Sequence, residues 1–392
     1  MPWSVSSPMS RRLEFVEDAE RGLYSMTELC ARYEISRRVG YKWLARYEAE
    51  GVDGLVDQRR VAHAHPHRMA DDVAARLVAC RKAHPTWGPR KLLAYLERRH
   101  PRTAWPAASS VGALLKREGL ARARRRRPSP GHPGPPTAPM DAPNATWTTD
   151  FKGQFRTQDG IYCYPLTVCD GFSRYLLACR GLPSVETVGV RPVFERLFRE
   201  HGLPTRIRSD NGVPFATAAL GRLSALSAWW IKLGITPELT EPSSPQQNGQ
   251  HERMHRTLKA EATKPAKATL RAQQRCFDAF RVEYNTERPH EALANATPAD
   301  RYTPSPRPYP RRLADPEYPG HFQVRYVSRN GGVRWHNQWV NVSHVLAEEY
   351  VGLEEVADGI WSVYFGPVLL GRFDERDLRI HGAHNRNKLG RR

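Results

Sequence analysis

The chain has 392 residues and a net charge of +19, with 60 Lys and Arg against 41 Asp and Glu. About two to four domains fit this length, and 40% apolar residues with ten Trp are enough for packed cores, which excludes global disorder. The sequence has no apolar leader after Met1 and no run of about 18 apolar residues, so we expect neither secretion nor membrane spans. The basic excess predicts a polyanionic partner, and charge alone fits DNA, RNA or an anionic membrane.

The six cysteines are scattered and include no C-x-x-C pair. A structural zinc site or a disulfide framework is therefore not expected, and a reducing cytosol is the expected compartment. A short histidine run, His63, His65 and His67, has no complementary ligand cluster in the sequence. We interpret it as part of a polar linker and not as a metal site.

The first elements of the chain are predicted to be three short helices between residues 11 and 47. Ser25 and Glu28 have the spacing of a capping box, and Ser36 is a candidate N-cap of the third helix. Three apolar residues recur on one face of that helix: Val39, Trp43 and Tyr47. Its opposite face carries four basic residues: Arg37, Arg38, Lys42 and Arg46. The pattern is typical of a helix-turn-helix, although a small bundle with a solvated basic face explains it equally well.

A second helical unit favours DNA reading by two tandem units. We expect an amphipathic helix over 70–80, a helix with Pro89 in its first turn, and a third helix that is capped by Ser109 or Ser110 and ends before Gly119. Four consecutive arginines precede a Pro/Gly/Ser-rich spacer: Arg124, Arg125, Arg126 and Arg127. We interpret them as phosphate contacts, with a solvated charge run as the alternative.

From residue 147 the pattern changes to strands and helices. Strands are predicted over 147–155, 161–170, 175–179, 205–209 and 235–239, and helices over 184–201, over 220–233 and from 247 onward. An antiparallel meander that continues into alternating helix and strand predicts a mixed sheet flanked by helices. After residue 322, alternating apolar residues with turns at 330–332 and 358–359 predict hairpins, which fit a small β-barrel.

Three acids in the middle region are candidates for metal-dependent chemistry. Asp150 lies inside a predicted strand, where a carboxylate is costly unless it is paired or metal-bound. Asp210 ends another strand, and Glu252 begins a helix. If the three meet in one cleft, their hard oxygen atoms select Mg²⁺ or Mn²⁺, and two ions about 3.5–4 Å apart suit phosphoryl displacement at a DNA backbone. Each acid alone is more simply a turn or helix-start residue, so only the joint pattern supports the interpretation.

Motifs surround each of these acids: D-F-K-G at Asp150, S-D-N-G-x-x-F at Asp210, and P-Q-Q-N-G-Q-H-E-R-M-H-R-T-L-K at Glu252. Two more are H-P-T-W-G-P-R-K-L in the second helical unit and Y-N-T-E-R-P-H-E-A-L at 284–293. Together they resemble the motifs of bacterial insertion-sequence transposases of the DDE superfamily, which are relatives of retroviral integrases. The resemblance extends over about residues 10–305.

The resemblance implies a catalytic core with the ribonuclease H-like fold and a catalytic, metal-binding triad of Asp150, Asp210 and Glu252. It further implies two Mg²⁺ ions per active site, for which Mn²⁺ can substitute. The helix that carries Glu252 is expected to contact DNA with three further residues: Lys259, Arg256 and His255. The expected partner is double-stranded DNA, both the terminal repeats of the element and its target, and the expected activity is 3′-end cleavage and strand transfer. Synapsis of two ends implies a homo-oligomer, at least a dimer, working on the nucleoid in a bacterial cytoplasm.

Some choices in this interpretation stay open. The 42 positions from Asp210 to Glu252 exceed the commonest spacing, and Glu238 and Glu241 lie between them. Both precede the helix that carries the N-G-x-x-E-R signature, so Glu252 is retained. Asp170 is interpreted as a turn residue. The R-P-H motif at 288–290 either packs the last core helix or touches DNA.

A catalytically silent DNA-binding regulator and a nuclease that cuts without joining are the competing functions. The presence of all three acids counts against the regulator, and the paired reading units count against the nuclease. The predicted fold is multidomain α+β. Its expected domains are helix-turn-helix units over 1–60 and 61–122, an Arg/Pro-rich linker over 123–144, the ribonuclease H-like core over 145–305, and a small β-barrel with a basic tail over 306–392.

Overall fold

The computed structural model describes residues 7–57, 69–121, 139–240 and 249–382. The chain divides into two compact units, Met1–Met69 and Ala70–Arg392. The α-helices of the described ranges are Pro8–Glu20 (α1), Met26–Arg32 (α2), Arg37–Glu50 (α3), Asp71–Ala83 (α4), Pro89–Arg99 (α5), Ala108–Arg117 (α6), Thr187–His201 (α7), Ala225–Lys232 (α8), Gly249–Ala262 (α9) and Leu270–Thr286 (α10). The strands are Thr146–Phe151 (β1), Phe155–Arg156 (β2), Tyr162–Asp170 (β3), Leu176–Leu182 (β4), Arg206–Ser209 (β5), Thr236–Leu239 (β6), Gln323–Tyr326 (β7), Gly332–Trp335 (β8), Gln338–Asn341 (β9), Tyr350–Ala357 (β10), Ile360–Phe365 (β11), Val368–Asp374 (β12) and Arg379–Gly382 (β13).

The first unit contains the three predicted helices. Ser25 and Glu28 form the capping box at the start of α2, and the Ser36 side chain caps α3. Trp43 is buried in a core between the three helices. Helices α2 and α3 cross closely at Gly40, because a Cβ there would lie 2.7 Å from the Cys30 sulfur. The predicted helix-turn-helix geometry is therefore built on a packed apolar core.

The basic face of α3 lies on the surface of this unit. Arg37, Arg38 and Lys42 are exposed, and Arg46 is half-buried. The Lys42 ammonium lies 4.5 Å from the ring centroid of Trp43, and the Arg46 guanidinium lies 5.4 Å from it. Both charged groups thus lie within cation–π distance of the core tryptophan.

Helices α4, α5 and α6 form the second helical unit. Pro89 is the first residue of α5, as predicted, and Gly119 follows α6 with a left-handed φ of 69°. The predicted cap at Ser109 or Ser110 is wrong: the extended backbone ends at Ala107, which is the N-cap without a side-chain bond. Both serines lie in the first turn of α6 and are exposed.

The middle region forms the predicted mixed sheet. Its hydrogen-bonded order is β4-β3-β1-β5-β6, with the short β2 also pairing with β3. Strands β3 and β4 are antiparallel to their neighbours, whereas β1, β5 and β6 run parallel. One face of the sheet packs on α7 and α8 through a core that includes Phe194 and Trp230. The other face packs on α9 and α10 through a core that includes Leu258 and Phe277.

The C-terminal segment does not form the predicted closed barrel. Strands β13, β12, β11, β10 and β7 form an open five-stranded sheet in that order, and β8 pairs only with β9 within the described ranges. Strands β8 and β9 are joined after Trp335 by a turn in which His336 has a left-handed φ of 51°. The turn at 358–359 joins β10 to β11 as predicted. The apolar side of these strands packs on Leu223 and Ile231 of the middle region.

Several residues of the sequence interpretation lie outside the described ranges: His63, His65, His67, Arg124, Arg125, Arg126, Arg127, Glu241 and Asn248. No helix in the part of the chain that the structure describes is long and apolar enough to cross a membrane.

Candidate active site

Two of the three candidate acids lie at the carboxyl ends of adjacent parallel strands, Asp150 on β1 and Asp210 directly after β5. Thr148 of β1 pairs with Arg208 of β5. Asp150 is two residues beyond Thr148, and Asp210 is two residues beyond Arg208. Because side chains alternate with a period of two, both acids point to the same side of the sheet at its carboxyl edge. This is the edge at which open α/β sheets place ligand groups.

The third acid, Glu252, lies in the first turn of α9 and is exposed. It is close enough to Asp150 for its charge to raise the Asp150 pKa. Glu238 occupies a different place: it lies on β6, opposite Arg208 of β5, and its carboxylate is 3.1 Å from the guanidinium of that arginine. The position and pairing of Glu238 argue for Glu252 as the third carboxylate.

Burial disfavours the ionised forms of Asp150 and Asp210. Burial raises the pKa of Asp150 to about 7, with further contributions from the charges of Asp210 and Glu252, while Lys152 opposes the shift. Burial also raises the pKa of Asp210, against a hydrogen bond from the Gly212 amide at 3.2 Å. A nearby cation would remove this cost, because opposite charge favours the carboxylate form.

The donor set fits a hard divalent ion, although the described geometry is not that of a closed metal site. Asp150, Asp210 and Glu252 offer only carboxylate oxygens, which are the ligands that Mg²⁺ and Mn²⁺ prefer. Within the described ranges, no group of three or more His, Cys, Asp or Glu side chains is arranged to hold a metal ion. The charges of Asp210 and Glu252 nevertheless both act on Asp150.

His255 was expected to contact DNA, but it is buried against the sheet. It is 8% exposed, and its Nε2 lies 2.7 Å from Thr167 Oγ1 on β3. Its Nδ1 lies 3.7 Å from the Asp150 carboxylate. Burial lowers the His255 pKa to about 3, and the Lys152 charge adds to this shift. Because His255 sits one helical turn after Glu252 on the sheet side of α9, it faces the interior and not a DNA surface.

The other two residues expected to contact DNA remain on the surface of α9. Arg256 and Lys259 are exposed, four and seven residues after Glu252. A further lysine joins them: burial and the Lys259 charge lower the pKa of Lys152, whose own charge acts on Asp150. Lys152 lies in the D-F-K-G motif two positions after Asp150, and this position is the signal from which it could have been predicted. Lys152 therefore places positive charge beside Asp150, and Lys259 is close enough to act on Lys152.

Residues in or next to the two motifs outside the acids join the second helical unit to the core. The His84 ring is 2.9 Å from the Glu283 carboxylate, and Tyr95 donates to Glu287 at 3.2 Å. Trp87 of the W-G-P-R-K-L motif is fully buried and stacks on His84 with 3.8 Å between ring centroids. His84, which precedes α5, and Tyr95 of α5 thus both contact α10 or the residue that follows it.

The contacts of Asp170 and of Arg288 show what each of these two residues does. Asp170 is a buried turn residue: its carboxylate accepts from the Asn144 amide at 2.7 Å and from the Ser173 amide at 2.8 Å. Arg288 of the R-P-H motif is also buried, and it donates to the Glu261 carboxylate of α9 at 2.7 Å. Both residues therefore have structural roles in the core.

Family models match the N-terminal helical part of the chain and its middle region. The integrase core domain is matched by two models, over residues 140–245 and 233–298. A helix-turn-helix domain matches residues 11–61, and a homeodomain-like domain matches residues 39–115.

Individual relatives come from insertion elements and viruses. The uncharacterized 31.7 kDa protein of insertion element IS407 from Burkholderia multivorans is 28% identical over 253 residues, which cover 62% of this chain and 85% of that protein. The Gag-Pol polyprotein of avian reticuloendotheliosis virus is 34% identical over 119 residues, which cover 30% of this chain but only 10% of the polyprotein.

Among solved structures, the catalytic core domain of HTLV-2 integrase in complex with magnesium matches 41% of this chain and 98% of its own. The identity is 14% and the TM-score is 0.33. The simian T-cell lymphotropic virus intasome in complex with a PP2A regulatory subunit matches 70% of this chain and 97% of its own. Here the identity is 15% and the TM-score is 0.37.

The matched domains are those of proteins that recombine DNA. The chain carries an integrase core domain preceded by helix-turn-helix domains, and the resemblance to transposases and integrases is confirmed. An insertion-element protein is among the relatives that it matches over most of their length.

Proposed function

We propose that this protein is a DDE transposase that cuts and joins the ends of its own insertion sequence. The observation that carries the proposal is the register of Asp150 and Asp210 on parallel strands, with Glu252 on the adjacent helix, inside an integrase core domain. In this proposal the three carboxylates hold two Mg²⁺ ions, with Mn²⁺ as a substitute. The bound ions would supply an activated oxygen nucleophile and stabilise the leaving oxygen of an in-line displacement.

Each proposed step breaks one P–O bond and forms another. The incoming oxygen belongs to water in the cleavage step and to the freed 3′-hydroxyl in the joining step. Water attacks the phosphorus at the element end, the bond to the 3′ oxygen breaks, and that oxygen leaves as a free 3′-hydroxyl. This hydroxyl then attacks a phosphodiester of the target and displaces the target's own 3′ oxygen. Lys259, Lys152 and Arg256 would position the scissile backbone by neutralising phosphates. The bonds made and broken are of similar energy, so no nucleotide cofactor is needed.

Recognition of the ends is assigned to the helix-turn-helix domains. In the first unit, Arg37, Arg38, Lys42 and Arg46 of α3 would approach DNA, as recognition helices do in a major groove. In the second helical unit, the last turn of α6 carries the exposed residues Lys116 and Arg117, which would approach DNA. Arg124, Arg125, Arg126 and Arg127 would track phosphates between this unit and the core.

The proposal extends to the oligomeric state, the cellular location and the domain limits. Joining two ends to one target needs two active sites, so the working form is a homo-oligomer, at least a dimer, on DNA. The DNA substrate places the work on the nucleoid in a bacterial cytoplasm. The domain limits 1–60, 61–122, 123–144, 145–305 and 306–392 remain part of the proposal.

The test separates binding from chemistry. Duplexes from the DNA that borders the gene are incubated with wild type or Asp150→Asn in Mg²⁺, and both strands are resolved by size. We expect 3′-end release and joining by wild type only, with equal DNA retention by both proteins. Tight binding without cutting by wild type would instead support the regulator, and cutting without joining would support the nuclease.

A further inference from the structure

Two histidines of α9 contact the sheet through one threonine. His251 is 1% exposed; its Nδ1 lies 2.9 Å from Thr148 Oγ1 on β1, and its Nε2 lies 2.6 Å from Thr167 Oγ1 on β3. The Nε2 of His255 lies 2.7 Å from the same Thr167 oxygen. One hydroxyl group therefore joins two consecutive turns of α9 to the middle of the sheet.

The donors and acceptors around Thr167 can all be satisfied together. Its hydroxyl donates to the Asp150 carbonyl oxygen at 3.0 Å. A threonine hydroxyl has one proton and two acceptor sites, so its two lone pairs can accept the Nε2–H of both imidazoles. In that tautomer the Nδ1 of His255 carries a lone pair, and this atom lies 3.7 Å from the Asp150 carboxylate.

We propose that Thr167, His251 and His255 are positioning residues that fix Glu252 relative to Asp150. Glu252 follows His251 directly in the chain and precedes His255 by three residues. A slide or rotation of α9 that moved Glu252 would therefore break the bonds of both imidazoles to Thr167. This inference rests on the proposed function, because it concerns the acids to which the metal ions are assigned.

The network has to act against a force that separates the acids. Their like charges repel, and Glu252 is exposed in the first turn of its helix. Buried hydrogen-bond networks are costly to break because each released group loses its partner in a low dielectric. Residues that orient metal ligands in this way typically change metal affinity by about 10-fold to 100-fold when they are removed.

The chain provides a matched control at the other end of α9. Gln273 of α10 is fully buried, donates to the Ala262 carbonyl at 2.7 Å and accepts from the Lys267 amide at 3.1 Å. It holds the last residue of α9, about three turns from Glu252. Gln273→Met therefore removes buried hydrogen bonds from α9 without touching the network at Thr167.

The first experiment titrates Mn²⁺ alone into the full chain by calorimetry. Thr167→Val removes the hydroxyl with little change of shape, whereas Thr167→Ser keeps the oxygen. We expect Thr167→Val to weaken Mn²⁺ binding by about 10-fold or more, with Thr167→Ser and Gln273→Met within about twofold of wild type. An unchanged affinity in Thr167→Val, or equal losses in Thr167→Val and Gln273→Met, would overturn the proposal.

A second measurement separates this inference from the proposed function. Amide hydrogen exchange of peptides from 249–258 is compared without metal. We expect faster exchange there in Thr167→Val than in Gln273→Met, because only the first variant frees the start of α9. Exchange at wild-type rates in Thr167→Val would overturn the inference. If wild type bound no Mn²⁺, the proposed metal chemistry would fail, and exchange alone would decide the positioning role.

Discussion

The Arg288 guanidinium donates to the Glu261 carboxylate at 2.7 Å and ties the segment after α10 to the last turns of α9. Both side chains are largely buried, with 7% and 18% exposed. The Thr86 hydroxyl of the second helical unit donates to the same carboxylate oxygen. The H-P-T-W-G-P-R-K-L and R-P-H motifs thus meet at one acid, on the helix that also carries Glu252 and Lys259.

We expect Arg288→Met to destabilise the unit Ala70–Arg392 by about 3 kcal/mol, because it leaves the largely buried Glu261 carboxylate without a positive charge and with only the Thr86 hydroxyl as donor. Arg98→Ala is the control: its ion pair with Asp300 has the same charges, but its partners are 46% and 40% exposed. That change should cost less than about 1 kcal/mol. Urea unfolding measures both, and equal losses would contradict the importance of the buried pair.

Mg²⁺ should stabilise the folded protein through the acids. The burial and repulsion that raise the Asp150 pKa are relieved when a cation binds. At a Mg²⁺ concentration 100 times its Kd, wild type should gain about 2.7 kcal/mol of unfolding free energy. Asp150→Asn should gain much less. Thermal unfolding with and without Mg²⁺ measures this, and equal gains in the two proteins would place the bound ion elsewhere.

Lys91 should make stability depend on pH in the alkaline range. Burial lowers its pKa from 10.5 to about 8; the Arg288 charge adds to the shift, and Glu291 and Glu261 oppose it. Because the folded-state pKa lies below the unfolded one, the charged form is disfavoured by folding. This cost is full below pH 8 and disappears as the pH rises through about 10.5.

Lys91→Met should therefore stabilise the protein at pH 7 by about 1–3 kcal/mol. The gain should shrink between pH 8 and 10.5. Lys116→Met, at an exposed position of α6, is the control and should change little. Urea unfolding at pH 7 and pH 10 compares the variants, and a gain from Lys91→Met that is the same at both values would refute this prediction.

DNA binding should distinguish the surface of α9 from its buried side. Lys259→Ala and Arg256→Ala should each lower the slope of log affinity against log salt by about one, because each removes a phosphate contact. His255→Gln should leave the slope unchanged, since His255 faces Thr167. Fluorescence anisotropy over a salt series provides the slopes. A reduced slope for His255→Gln would show that this side chain reaches DNA after all.

Local sequence patterns predicted helix starts correctly where a side chain hydrogen-bonds to a backbone amide only a few residues away. The capping box at Ser25 and the cap at Ser36 are examples, because each depends only on its own first turn. Ser109 and Ser110 misled for the same reason: a serine near a helix start suits the cap position, but the extended backbone ends two residues earlier, at Ala107.

Long-range contacts could not be predicted in the same way. Helical spacing placed His255 near Glu252, Arg256 and Lys259 but did not reveal that it turns inward to Thr167, 88 positions earlier in the chain. The open C-terminal sheet is a similar case. Alternation predicted strands, whereas the left-handed turn at His336 decides that β8 pairs with β9.

The central claim is that Glu252 completes the set of three acids. The direct measurement is strand-resolved 3′-end release and joining in Mg²⁺ by Glu252→Gln, with Glu238→Gln as the control whose carboxylate pairs with Arg208. We predict that Glu252→Gln binds the element ends but neither cuts nor joins them, while Glu238→Gln does both. Normal joining by Glu252→Gln would contradict the account, and loss of joining by Glu238→Gln alone would move the third carboxylate to β6.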